Sequence, residues 1–220
     1  NPKCYQVGDF WGVIEKTELI HEVGAWVIEQ ACAACNSWQQ AGHDLTVSVN
    51  VSAIQLSRHS FTETVKNALD KAALSPEKLQ LVIPEYSFYE KESGETEYQA
   101  NTLKQLGVHL TIGGFGNGYS NLSRLTHLQI DGLSLDESFV SKVCVSESTR
   151  VVVSAVVDVA NQLDMVVTAT DIASHEQAKT LAKLDCQFGQ GSYWGVVGTS
   201  DQLLRLIADN ETRSGPVPTF

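Results

Sequence analysis

TIGGFGNGYSNL, Thr111 to Leu122, holds four glycines in the six residues from Gly113 to Gly118. An apolar alternating run ends in them and a helical-period run follows, so the stretch reads as a strand breaking into a glycine turn before a helix. Working outward, the same order recurs on both sides. A helix is expected over Thr17 to Gln40, closed by Gly42. LTVSVNVS (Leu45–Ser52) alternates with period two and precedes a helical run over Phe61–Leu74. LQLVIPEY (Leu79–Tyr86) precedes one over Glu92–Leu106, and VHLTIGGFG (Val108–Gly116) a short one near Tyr119–Leu125. DGLSLD (Asp131–Asp136) leads to Ser148–Leu163, DMVVTATD (Asp164–Asp171) to Ser174–Leu184, and QFGQGSYWG (Gln187–Gly195) to Asp201–Ile207. Successive strand-helix units require parallel strands joined by helical crossovers, in a doubly wound open sheet or a closed (β/α) barrel. In either, chemistry sits at the carboxyl ends of the strands, which here are Asn50, Glu85, Gly113, Gly114, Ser134, Asp136, Thr170, Asp171, Ala173 and Gln190.

Composition narrows the partners. A net charge of −11 over 220 residues, with no cluster of lysine or arginine, excludes a nucleic-acid surface. No apolar run reaches the roughly 18 residues that span a bilayer, so no insertion into a membrane by this domain is expected. Five cysteines (Cys4, Cys32, Cys35, Cys144, Cys186) without a framework spacing suit a reducing, cytoplasmic setting. Cys32 and Cys35 lie three apart on one face of a helix, among alanines, as small core residues. The six histidines, His21, His43, His59, His109, His127 and His175, are scattered as structural or solvent-facing residues. Trp11, Trp26 and Trp38 are expected to pack helices, and Trp194 to stand near the strand ends. One domain is expected over 1–210, with 211–220, rich in Gly and Pro, as a tail or linker.

The glycines of the opening stretch do not make a nucleotide loop. A Walker loop needs a lysine, and Gly113–Ser120 has none; a dinucleotide fingerprint needs G-x-G-x-x-G after the first strand, and Gly114, Gly116 and Gly118 give G-x-G-x-G late in the chain. No G-x-S-x-G or H-E-x-x-H occurs.

VSVNVSAIQL, LVIPEY, GGFGNGYSNLSRL, LSLDESFV and GQGSYW, in this order, resemble the EAL domain, the cyclic di-GMP phosphodiesterase fold, a TIM-like (β/α) barrel. DFWGVIEKTELI resembles the segment after that family's first strand; the EAL signature itself is not found, nor the arginine after it, so the first strand or strands are expected to be missing or outside the chain. Active members cut the phosphodiester with water activated between divalent cations held by carboxylates. The resemblance places the asparagine of the SVNLSA-like motif on Asn50, the glutamine of the GQG-like motif on Gln190, and the second glutamate of the ELTES-like motif on Glu85. Its metal ligands meet other residue types: the first ELTES glutamate falls on Val82, the paired aspartates on Gly113 and Gly114, and the AEGVE glutamates on Thr170 and Ala173; the lysine of LKID, the general-base helper, falls on Ser134. The scaffold residues Phe115, Tyr119, Phe139 and Val140 remain. A relocated site from Asp136, Asp171 and Glu85 is disfavoured, because Asp136 matches a bracing position and Asp171 a glycine. The resemblance therefore implies a degenerate member, not an enzyme, with no Mg or Mn site. The expected role is a metal-independent cyclic di-GMP receptor with ligand contacts from Asn50, Gln190 and Glu85. The alternative is a protein-interaction or dimerisation module that no longer binds nucleotide, and third an active phosphodiesterase. Expected partners are cyclic di-GMP, a neighbouring GGDEF or sensor domain in a full-length protein that is often membrane-tethered, and a second copy of the chain.

Overall fold

Alternating runs become strands and the helical-period runs between them become crossovers. The computed structural model describes residues 12–15, 17–88, 93–116, 125, 128–195 and 197–212. Strands β1 (Val47–Asn50), β2 (Leu79–Pro84), β3 (His109–Phe115), β4 (Gly132–Leu135), β5 (Val166–Ala169) and β6 (Phe188–Gly189) stand in chain order in one sheet. The described ladders are parallel. Helices are α1 (Leu19–Gln40), α2 (Ala53–Leu56), α3 (Phe61–Ala72), α4 (Ser93–Leu106), α5 (Glu137–Val140), α6 (Glu147–Gln162), α7 (His175–Ala182) and α8 (Ser200–Thr212). No described helix is long and apolar enough to cross a membrane. Expectations for Cys4, Trp11, Tyr119, His127, the helix near Tyr119–Leu125 apart from Leu125, and the tail beyond Thr212 lie outside the described residues.

Contacts gather into two compact units, Asn1–Leu110 and Thr111–Phe220. In the first, α1 packs on α3 and β1. Its buried stripe runs Ile20, Gly24, Ile28, Cys32, Cys35 and Trp38, steps of three and four that keep one face turned inward. Trp26 departs from the expectation that it packs a helix: it is 61% exposed. Two residues from both Gly24 and Ile28, it is turned about 200° around the helix from that stripe. The Cys32–Cys35 pair is fully buried, and burial pushes the Cys32 thiol up to about 11. α3 buries Phe61, Val65, Ala68 and Leu69. In β2, Leu79, Leu81 and Ile83 are buried and the residues between them half-buried. The strand stops at Pro84, two residues before its expected end, because Glu85–Phe88 turns into a 3-10 helix. Proline, with no N–H to give, marks the change.

In the second unit β3 pairs with β4 as Thr111↔Gly132 and Ile112↔Leu133, then resumes at Phe115↔Leu135. Three steps on β3 meet two on β4, so Gly113 and Gly114 carry a bulge. All four residues of β4 are buried. α6 turns Val153, Val156, Val157 and Ala160 inward, and Ser146 caps it by accepting from the Thr149 N–H at 3.2 Å. β6 has two residues where Gln187 to Gly195 was expected to be extended. After Gln190 the chain folds over the β5 end, the Tyr193 N–H donating to the Ile172 carbonyl at 3.0 Å. The last helix is longer than the expected Asp201–Ile207.

Candidate functional site

Each unit presents its own set of strand ends. In the first, Asn50 closes β1 with its side chain exposed, and its register partner is Val82 on β2. The Val51 N–H donates to the Val82 carbonyl at 2.9 Å, extending the ladder past Asn50. Ser52 and Gln55 form a capping box, Ser52 Oγ accepting from the Gln55 N–H at 3.3 Å and Gln55 Oε1 from the Ser52 N–H at 3.1 Å. That box fixes how the chain leaves β1. Glu85 starts the 3-10 helix after β2 and is buried, 6% exposed.

The second unit offers a different set. Gly114 has φ +70 and Gly116 φ +106, both left-handed. A β-carbon on Gly114 would find only Asp136 Oδ2, at 4.0 Å, whereas one on Gly116 would overlap the Phe139 ring. Gly116 is thus required twice over, by conformation and by contact. Asp136 is the N-cap of α5: Oδ1 accepts from the Ser138 N–H at 2.9 Å, and the Asp136 N–H donates to the Phe115 carbonyl at 3.1 Å. Its carboxylate therefore braces the turn. Ser134 is buried in β4. Thr170 Oγ1 donates to the Leu135 carbonyl at 3.0 Å, tying the end of β5 to that of β4.

Asp171 is exposed and left-handed at φ +60, a conformation that glycine takes freely and aspartate tolerates better than most residues. The Ala173 N–H donates to Gln177 Oε1 at 2.9 Å, within the capping box that starts α7 at Ser174. Gln190 is held by its backbone, donating to the Ala169 carbonyl at 2.8 Å and accepting from the Ile172 N–H at 3.0 Å, with its side chain exposed. Gly191 follows because a β-carbon there would overlap the Ile172 backbone.

Besides Trp194, the structure shows a rim cluster that spacing did not reveal. His175 Nδ1 and the Tyr193 hydroxyl share a hydrogen bond of 2.9 Å, and Tyr193 meets Trp194 edge-on with ring centroids 5.1 Å apart. The two segments are 18 residues apart, so no local pattern announces the pair. Among the described residues, no group of three or more His, Cys, Asp or Glu is arranged to hold a metal ion.

The EAL domain model matches residues 3–196. The chain belongs to the EAL domain family. It is 30% identical over 206 residues to the signalling protein YkoW of Bacillus subtilis, covering 94% of this chain and 26% of YkoW. It is 31% identical over 202 residues to MucR of Pseudomonas aeruginosa, a bifunctional diguanylate cyclase/cyclic di-GMP phosphodiesterase, covering 91% of this chain and 29% of MucR. The chain thus spans less than a third of the length of these curated relatives. The solved MucR phosphodiesterase in complex with c-di-GMP superposes with a TM-score of 0.86 at 30% identity, covering 92% of this chain and 83% of that one. The TIM-like EAL barrel is therefore the fold of this EAL domain, and the doubly wound alternative is set aside.

On the EAL pattern, the positions that the resemblance gives to metal-binding carboxylates hold Val82, Gly113, Gly114, Thr170 and Ala173. Four of these offer no side-chain oxygen, and the fifth offers a neutral hydroxyl whose proton is given to the Leu135 carbonyl. Divalent magnesium or manganese needs hard anionic oxygens, so these residues do not fit such an ion.

Proposed function

We propose that this EAL domain is a catalytically inactive, metal-independent receptor in cyclic di-GMP signalling. The observation that carries the reading is the donor set at the strand ends: apolar or absent side chains at Val82, Gly113, Gly114 and Ala173, and a committed hydroxyl at Thr170. Without carboxylates there is no cage to position activated water between two cations. The relatives named for c-di-GMP hydrolysis, and the solved complex of MucR with c-di-GMP, supply the ligand class. Replacing carboxylates by neutral groups removes negative charge that would otherwise repel a dianion without metal. Asn50 and Gln190, both exposed amides, are assigned to the ligand, and Glu85, buried at the end of β2, to holding the adjoining 3-10 turn in place for it. Ligand energy would then bias a conformational equilibrium read by a neighbouring GGDEF or sensor domain.

A second reading, an interaction or dimerisation module, draws on exposed valines in the second unit. Val145, Val151 and Val152, before and on α6, are 83%, 63% and 45% exposed. Calorimetric titration with cyclic di-GMP, with and without manganese, separates the two. Micromolar binding that needs no metal supports the receptor; no heat in either condition leaves the interaction module.

A further inference from the structure

On the receptor reading of the strand ends, we infer that Tyr193 and His175, at the rim of the second unit, read a guanine base. The Tyr193 ring is the surface on which the base stacks, and His175 Nε2–H is the donor to its O6 and N7 edge. Tyr193 follows Gln190 by three residues, so their Cα atoms are at most about 11 Å apart, within reach of one nucleotide. Backbone bonds fix the turn that carries both. The Gln190 N–H donates to the Ala169 carbonyl at 2.8 Å, the Tyr193 N–H to the Ile172 carbonyl at 3.0 Å and the Trp194 N–H to the Gly191 carbonyl at 3.3 Å. Tyr193 is nevertheless 40% exposed. Its ring is held on two sides, by the 2.9 Å bond between its hydroxyl and His175 Nδ1 and by the edge-on contact with Trp194 at 5.1 Å. An exposed aromatic ring stacks with any base, and one already fixed in place does so at low entropic cost.

Stacking does not choose between bases, and His175 supplies the choice. It is exposed, as the first residue of α7, with its ring centroid 5.9 Å from that of Tyr193 and its plane tilted by 47°. On this reading the Tyr193 O–H donates to Nδ1, which leaves the imidazole proton on Nε2. Nε2 has no partner among the described residues. A fixed N–H beside a stacking ring suits guanine, whose O6 and N7 both accept, whereas adenine turns an amino donor to the place of O6. A bond that served only to tie the turn to α7 would leave the two bases equal.

The test follows the Trp194 indole and His175 ring signals by NMR while the 220-residue protein is titrated with cyclic di-GMP, cyclic di-AMP, guanosine monophosphate and adenosine monophosphate. Saturable shifts of both signals are expected from the guanine ligands, with the adenine ligands at least about fivefold weaker. Tyr193→Ala should weaken both classes by about tenfold or more. Tyr193→Phe, which keeps the ring and loses the bond to Nδ1, and His175→Ala should each bring guanine and adenine affinities to within about twofold of one another. Cyclic di-GMP binding that moves neither signal, adenine ligands binding as tightly as guanine ones, or natural discrimination retained in Tyr193→Phe and His175→Ala would each overturn the assignment. If guanosine monophosphate gives the expected shifts and cyclic di-GMP does not bind, the receptor reading fails and the base site stands; silence from both guanine ligands sinks the two together.

Discussion

The strand ends of the two units differ in how their geometry is held. In the first, β1 and β2 end in ordinary backbone, and side chains do the holding: the Ser52–Gln55 box and buried Glu85. Its left-handed residues, Gly42, Ala73 and Gly107, lie at the ends of helices. In the second, Asp164 and Asp185 are left-handed after helices in the same way, but Gly114, Gly116 and Asp171 are left-handed at the strand ends themselves, and Gly191 lies against the Ile172 backbone. There the main chain carries part of the geometry, beside the Asp136 cap, the Thr170 hydroxyl bond and the Ser174–Gln177 box. Val82 in the first unit and Gly113, Gly114, Thr170 and Ala173 in the second stand where the resemblance gives carboxylates, and the barrel is recognisable with either kind of strand end.

The largest effect that would sharpen this contrast is expected from Gly116→Ala. Positive φ and overlap with Phe139 together should cost about 3 kcal/mol or more, read by urea unfolding. Gly114→Ala, with the same backbone sign but open space around it, should cost about 1 kcal/mol. Equal losses at both positions would break the distinction between a glycine that the fold requires by contact and one with open space around it. Next come the two capping boxes, one per unit. Ser52→Ala and Ser174→Ala should each cost about 1 kcal/mol, and an unchanged unfolding midpoint for either would mean that the side chain does not hold its turn.

A further effect lies in alkaline solution. Burial raises Cys32 in the first unit from 9.0 to about 11 and Cys186 in the second to about 12. Both thiols stay neutral in the fold while the unfolded chain ionises, so their contribution is whole below pH 9.0 and is lost as pH rises toward 11 and then 12. Both variants should flatten the decline from pH 9.0, Cys32→Ala up to about pH 11 and Cys186→Ala up to about pH 12. A decline unaltered by either variant would place its origin elsewhere.

Much of this was legible before any coordinates. Strand-helix alternation placed every described strand, with the last one six residues too long at its end, and the ordered motifs around Asn50, Glu85, Gly116 and Gln190 carried the fold and the family. Periodicity failed where tertiary geometry decides. It could not tell that Trp26 faces solvent, because apolar character alone does not say which side of a 22-residue helix is covered. It overextended β6, because a glycine pressed against a distant backbone reads like any turn residue. The Tyr193–His175 bond was out of reach, as it depends on segments brought together by the fold. The S-x-x-Q patterns at Ser52 and Ser174 were readable as helix starts and announce both capping boxes.

The central claim is that these strand ends bind without cutting. Its most direct test is prolonged incubation of cyclic di-GMP with excess protein and magnesium or manganese, followed by chromatography for the linear dinucleotide, for the natural protein and for the Gly113→Asp/Gly114→Asp double variant. The account predicts no linear product from either, since Val82, Ser134, Thr170 and Ala173 are unchanged in the variant. Metal-dependent turnover by the natural protein, or its appearance in the double variant, would contradict it.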